Sequence, residues 1–116
     1  MTAMANRAAL LVLATVIGGW HGTLHAAGDA ARGKALYAVC STCHGPEAKG
    51  QEDTNAPALA GREEWYLVRQ LQNFKSGVRG AHPDDVYGQQ MAPMAQLLAD
   101  KQAMEDVAAY LHSLGD

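Results

Sequence analysis

The run Cys40-Ser41-Thr42-Cys43-His44 governs how this chain can fold, because it holds the only two cysteines among 116 residues. Thiols at i and i+3 fall on one side of a helical turn. The two vinyl groups along one edge of a porphyrin can then each take a thiol, giving two thioether bonds. The histidine directly after the second cysteine comes under the ring, where a ring nitrogen faces iron. The spacing is that of covalent c-type haem attachment. The other nitrogen of His44 then needs an acceptor to set the tautomer and orient the ring.

Other uses of the same residues fit less well. A thioredoxin-like redox pair follows a strand in a βαβ unit, and no strand pattern precedes Cys40. A zinc site needs a second pair of ligands, and the histidines that follow are only His82 and His112. A structural disulfide suits an exported protein, but it leaves His44 without a role.

Residues 1–26 read as a cleaved signal peptide. Arg7 is the only charge before Asp29, Ala8 to Ile17 is unbroken apolar sequence, and small residues close the segment at Ala26 and Ala27. The apolar run is shorter than the ~20 residues that span a bilayer. The expected organisation is therefore a signal peptide over 1–26, cut after Ala26, and one domain over 27–116, exported to the periplasm. That domain has 90 residues, with eight basic and twelve acidic side chains, a net charge of −4. The charge speaks against nucleic acid, which needs a clustered basic surface. A domain this small has a thin core of its own and gains from wrapping a large group.

The periodicity predicts three helices. The first runs from Asp29, an N-cap, to about Thr42, with Gly33, Leu36, Tyr37, Val39 and Cys40 clustered. The second runs from about Arg62 to Ser76, with Trp65, Leu67, Val68, Leu71 and Phe74 as its apolar stripe and Gly77 as its stop. The third runs from Asp100 to Ser113, on Met104, Val107, Ala108, Leu111 and Leu114. Two long loops, 45–61 and 77–93, lie between them, and nothing alternates as a strand would. The expected class is all-α: three main helices and long loops around one covalent haem.

Iron has a second axial face. Methionine thioether is a common ligand there in electron-transfer proteins and raises the reduction potential. Met104 lies on the apolar stripe of the last helix and reads as core. Met91 and Met94 are expected in the second loop, free to reach over the ring, and ligand chemistry alone does not separate them.

The ordered pieces Gly33-Lys34-Ala35-Leu36-Tyr37, Cys40 to Gly45, Ala56-Pro57-Ala58-Leu59-Ala60-Gly61, Tyr66 to Leu71, Met91-Ala92-Pro93-Met94 and Met104 to Leu111 resemble a class I cytochrome c. The resemblance covers nearly all of residues 28–114 and is strongest to bacterial periplasmic modules, including single halves of dihaem cytochromes. It implies the cytochrome c fold, with Cys40 and Cys43 as thioethers and His44 as the proximal ligand. It implies that the Pro57 carbonyl accepts from His44, that Leu59 packs on the ring, and that Met91 is the distal ligand with Met94 the alternative. Gly33 and Tyr37 would meet Tyr110 and Leu111. Trp65, Tyr66, Arg69 and Arg79 are candidate partners of the haem propionates, against ordinary readings as core aromatics and solvated charges. His82 and Asp84-Asp85 read as surface turn, and His112 as a cation suited to a helix end.

The function expected is a monomeric, non-enzymatic carrier of single electrons. It would meet redox-protein donors and acceptors by transient contact, and would meet membranes only through partner complexes. Two alternatives stand beside it: an electron-transfer subunit of a larger redox complex, and a peroxidase or gas-binding protein with an open distal site, for which His82 is the one candidate base.

Overall fold

The computed structural model describes residues 27–115, so the signal segment expected over 1–26 lies outside the described residues. Among the described residues there are five α-helices and no strand; a lone antiparallel bridge joins Gln51 to Ala56. The all-α class read from the sequence holds.

Helix α1 spans Ala30–Tyr37. Asp29 starts it, its carboxylate accepting from the Ala31 and Arg32 N–H groups at 2.9 and 3.1 Å, two donors that the first turn would otherwise leave bare. The sequence predicts this helix to run on to about Thr42. It stops five residues earlier, and a short helix α2, Ser41–His44, follows. The Cys40 N–H reaches back three residues to the Tyr37 carbonyl at 2.9 Å, and the Ser41 hydroxyl takes the Ala38 carbonyl at 2.7 Å. Tightened bonding and a competing serine interrupt the α-helical ladder while the backbone stays near helical angles.

Gly45, at φ 85°, ends α2, and the chain loops through a 3-10 turn at Glu52–Thr54 before α3, Glu64–Ser76. Leu67 and Phe74 of α3 are buried as the stripe predicts. Trp65 is not: it is 62% exposed, so it belongs to the outer face. Gly77, at φ 76°, stops the helix where a side chain would be strained.

The largest departure from the sequence reading is α4, Val86–Ala95, inside what reads as loop. Gly88 and Pro93 hide it, since they cost about 1 and 3 kcal/mol in a helix interior. Here both are accommodated. Gly88 donates to the Asp85 cap at 2.9 Å, and a Cβ at Gly88 would overlap that carboxylate. Pro93 falls in the last turn, where its missing N–H unpairs a single carbonyl. Met91 and Met94 therefore sit on a helix, not on a loop.

Helix α5, Lys101–Ser113, is capped by Asp100, which accepts from Ala103 N–H at 2.8 Å. It packs on α1 and α3, and α3 packs on α4. At the α1–α5 crossing Gly33 lies against the Asp106 backbone and the Tyr110 Cβ, and any side chain there would overlap the Asp106 carbonyl. Glycine thus permits the close approach. The Tyr37 and Tyr110 rings meet at 5.6 Å, tilted by 52°. Asp106 has no solvent exposure. Its Oδ1 accepts from Asp29 N–H at 2.7 Å and Gln102 Nε2 at 3.0 Å, and Arg32 Nη2 stands 3.2 Å from Oδ2. Burial alone pushes this carboxyl up, but the Asp29 N–H, the Gln102 amide and Arg32 together hold it below the ordinary value. Met104 joins Val107, Ala108 and Leu111 in the core.

Candidate haem site

A cavity of about 340 Å³ opens between the Cys40–His44 segment and α4, with α3 and α5 behind it. Cys40 is half-buried and Cys43 exposed; both line the cavity and they are not joined to each other. Burial pushes the Cys40 thiol up. A raised thiol disfavours the thiolate that a redox pair uses as its nucleophile. Among the described residues no three of His, Cys, Asp and Glu converge to hold a metal.

His44 is 7% exposed. Its Nδ1 lies 2.9 Å from the Pro57 carbonyl. A carbonyl only accepts, so Nδ1 carries the proton and the lone pair sits on Nε2. The loop is built to deliver that carbonyl thirteen residues along the chain. Gly50 N–H closes on the His44 carbonyl at 2.9 Å, Thr54 Oγ1 on the Cys43 carbonyl at 2.8 Å, and Gln51 and Ala56 exchange backbone bonds at 3.0 and 3.1 Å. The buried Tyr37 hydroxyl donates to the Gly45 carbonyl at 2.6 Å. Burial, with Cys40 and Tyr110 nearby, pushes that phenol up to about 12, so it remains a donor through the neutral range.

Across the cavity stand Met91 and Met94, both half-buried, both lining it. Three residues apart on α4, they share one face. Their freedom to face the cavity does not come from a loop, as the sequence reading expected. The buried residues of α4 are Gly88 and Ala95, and the methionine face is left toward the cavity. Leu59, Leu67, Leu71, Phe74, Leu98 and Val107 complete an apolar wall.

Among the residues weighed from the sequence, Tyr66 and Arg79 line the cavity; Trp65 and Arg69 face a separate groove beside Lys101 and Glu105. His82 lies outside the cavity, exposed, with its Nδ1 accepting from Asp84 N–H at 3.2 Å. His112 Nδ1 approaches the Arg62 carbonyl at 3.0 Å. The sequence reading overlooked Arg62, which also lines the cavity and is pinned by Nε to the Ala58 carbonyl at 2.7 Å. Its trace was available: a cation just before a helix N-terminus opposes the macrodipole, which asks for another reason to be there.

Two thiols on one wall, an imidazole with its outer nitrogen engaged, two thioethers opposite and an apolar lining between them fit a haem. The Cytochrome c family model matches residues 30–115. Cytochrome c4 of Azotobacter vinelandii is 39% identical over 110 residues, 93% of this chain and 50% of that protein. Cytochrome c-554(547) of Halothiobacillus neapolitanus is 40% identical over 95 residues, 76% of this chain and 99% of that protein. The Thiosulfate dehydrogenase electron acceptor of Stutzerimonas stutzeri is 38% identical over 76 residues, 66% of this chain and 32% of that protein. The chain thus spans about half the length of its cytochrome c4 relatives and nearly the whole of cytochrome c-554(547). Its Cys40 and Cys43 fit the attachment motif of covalent haem c, and by this motif, fold and likeness the chain belongs to the cytochrome c family, as a class I cytochrome c.

Proposed function

We propose that this protein is a periplasmic carrier of single electrons whose one haem c is held by Cys40 and Cys43 and ligated by His44 and Met91. The observation that carries the reading is the convergence of both thiols, the His44 imidazole and the α4 methionines on one apolar cavity. The bound haem supplies a one-electron iron couple. His44 presents Nε2 while the Pro57 carbonyl holds Nδ1–H, which fixes the ring and raises its basicity. The thioether of Met91 is a soft ligand that favours the reduced state, and the apolar wall that excludes water does the same. Leu59 packs against the ring. Residues 1–26 direct export and are removed, leaving a monomer.

Donor and acceptor meet the carrier through small, short-lived contacts, which sit at the low end of interface size. The likeness to a thiosulfate dehydrogenase electron acceptor supports a dehydrogenase as the class of donor. A second reading, a subunit of a larger redox complex, draws on the 31% identity over 94 residues to the Cbb3-type cytochrome c oxidase subunit FixP of Bradyrhizobium, 28% of that protein. An enzyme or gas sensor loses its only candidate base, because His82 stands outside the cavity.

The test is the absorption spectrum of the matured protein. Oxidised wild type and Met94→Ala should show the methionine–iron charge-transfer band, and carbon monoxide should leave the reduced spectrum unchanged. Met91→Ala should lose the band and bind carbon monoxide. A wild-type spectrum that is high-spin and responds to carbon monoxide would overturn the carrier reading. Loss of the band in Met94→Ala alone would move the ligand to Met94.

A further inference from the structure

Residues 62–79 carry three arginines, and the structure gives them different surroundings. Arg69 lies over the Trp65 ring at 5.6 Å and faces the outer groove. Arg62 lines the haem cavity with its Nε on the Ala58 carbonyl, and among the described residues no aromatic ring stacks on its guanidinium. Arg79 lines the cavity too, and it is held from three directions. Gly77, at φ 76°, turns the chain back over the end of α3. The Arg79 N–H then bonds the Asn73 carbonyl at 3.1 Å. Its guanidinium lies 4.5 Å from the centre of the Phe74 ring, and Nη1 donates to Gln70 Oε1 at 2.9 Å.

Among the described residues no carboxylate pairs with Arg79 within 4.0 Å. The acidic side chain that shares the cavity wall, Asp85, is engaged by the Gly88 N–H. A guanidinium with one of its five N–H donors used thus stands, already oriented, at an apolar wall. A haem fastened by its vinyl groups still has two propionate carboxylates to place, and a planar fork on a fixed stem matches a carboxylate with two parallel bonds. The stacking and the Gln70 bond reduce the freedom lost when that contact forms.

We propose that Arg79 is the positioning residue for one haem propionate and that it raises the reduction potential; this rests on the haem occupying the cavity. The sign follows from charge. An ionised propionate favours ferric iron, and a cation held against it offsets that preference.

The experiment compares holoprotein of wild type, Arg79→Gln, Arg79→Lys and Arg69→Gln by redox titration at fixed ionic strength, with the propionate bending band read by resonance Raman. Arg79→Gln should shift the ferric/ferrous equilibrium about tenfold toward ferric, ~59 mV lower for one electron, and move the propionate band. Arg69→Gln removes the same charge from the outer face of α3 and should shift the equilibrium less than about twofold, the scale of a screened surface charge. Arg79→Lys should recover most of the potential but not the band position, because it restores charge without the fork. Equal shifts in Arg79→Gln and Arg69→Gln, or an unmoved propionate band in Arg79→Gln, overturns the role of Arg79. Intact mass and the methionine–iron band are read on the same samples. Their absence in wild type overturns the seat of the haem, whereas their presence with an unmoved propionate band overturns Arg79 alone.

Discussion

The α1–α5 crossing and the cavity between α2 and α4 are built on opposite plans. At the crossing, protein fills the space. Tyr37, Val107 and Ala108 are 3%, 2% and 0% exposed, Gly33 admits the Asp106 backbone, and the buried Asp106 carboxylate takes two hydrogen bonds on Oδ1 while Oδ2, with no hydrogen bond, faces Arg32 at 3.2 Å. At the cavity, side chains of the same hydrophobic kind stop short of each other. Leu59, Leu71, Met91 and Met94 are only half-buried, and Tyr87 on the rim is 54% exposed. Val107 and Leu111 serve both regions, with one side in the core and the other on the cavity wall. One half of the fold is complete in amino acids. The other half lines a cavity of about 340 Å³ with side chains from α3, α4 and the Cys40–His44 segment.

That contrast can be broken most forcefully by removing the attachment. The double change Cys40→Ala, Cys43→Ala leaves about 340 Å³ of mostly apolar cavity without a covalent tenant. At ~24 cal/mol per Å³, an empty cavity of that size costs up to about 8 kcal/mol, as much as many small domains have in total. Water at the open mouth lowers the figure. The expected outcome is loss of most far-UV helical signal in the haem-free chain. Near-complete helicity would show that the cavity half stands on its own.

A change at the crossing should act on stability without touching the cavity. Gly33→Ala places a Cβ into the Asp106 carbonyl, an overpacking worth roughly 1–3 kcal/mol. In a domain of this size each kcal/mol moves the melting temperature by about 4–8 °C. Holoprotein carrying Gly33→Ala should melt lower by that margin while its methionine–iron band stays in place at room temperature. A shifted or missing band would mean that the two regions are coupled more tightly than their packing implies.

The smallest effect concerns acid. Asp106 is held below its ordinary value when folded, whereas a free aspartate titrates near ~3.9. The folded state therefore binds its proton less readily. The stabilisation is fully present above about pH 4 and is lost as pH falls through the lowered folded value. Asp106→Asn should cost about 1 kcal/mol at neutral pH, the order of one hydrogen bond. It should also flatten the fall in melting temperature below about pH 4. A variant that loses stability in acid as steeply as wild type would place that sensitivity on other carboxylates.

Much of this was readable from the chain. The starts of α1 and α5 follow from Asp29 and Asp100, whose side chains do cap. The end of α3 follows from Gly77, and Met104 from its place on an apolar stripe. Other features were closed to local reasoning. Helix α4 contains a glycine and a proline, and what offsets them is the Asp85 cap and the packing on α3. The early end of α1 depends on hydrogen bonds at Cys40 and Ser41 that compete with a helix the periodicity permits. Trp65 has the spacing of a core residue, but the groove it faces lies outside the core.

By itself the sequence carried the attachment motif: two thiols and an imidazole at fixed spacing lie within one turn, and a turn is local. Asp29, Gly77 and Asp100 marked boundaries for the same reason, since caps and left-handed stops act through neighbouring backbone. Only the tertiary structure decided which face of α4 looks inward and which of Arg69 and Arg79 stands at the cavity. Those choices join residues far apart in the chain, and they are made by packing, which no short window of residues contains.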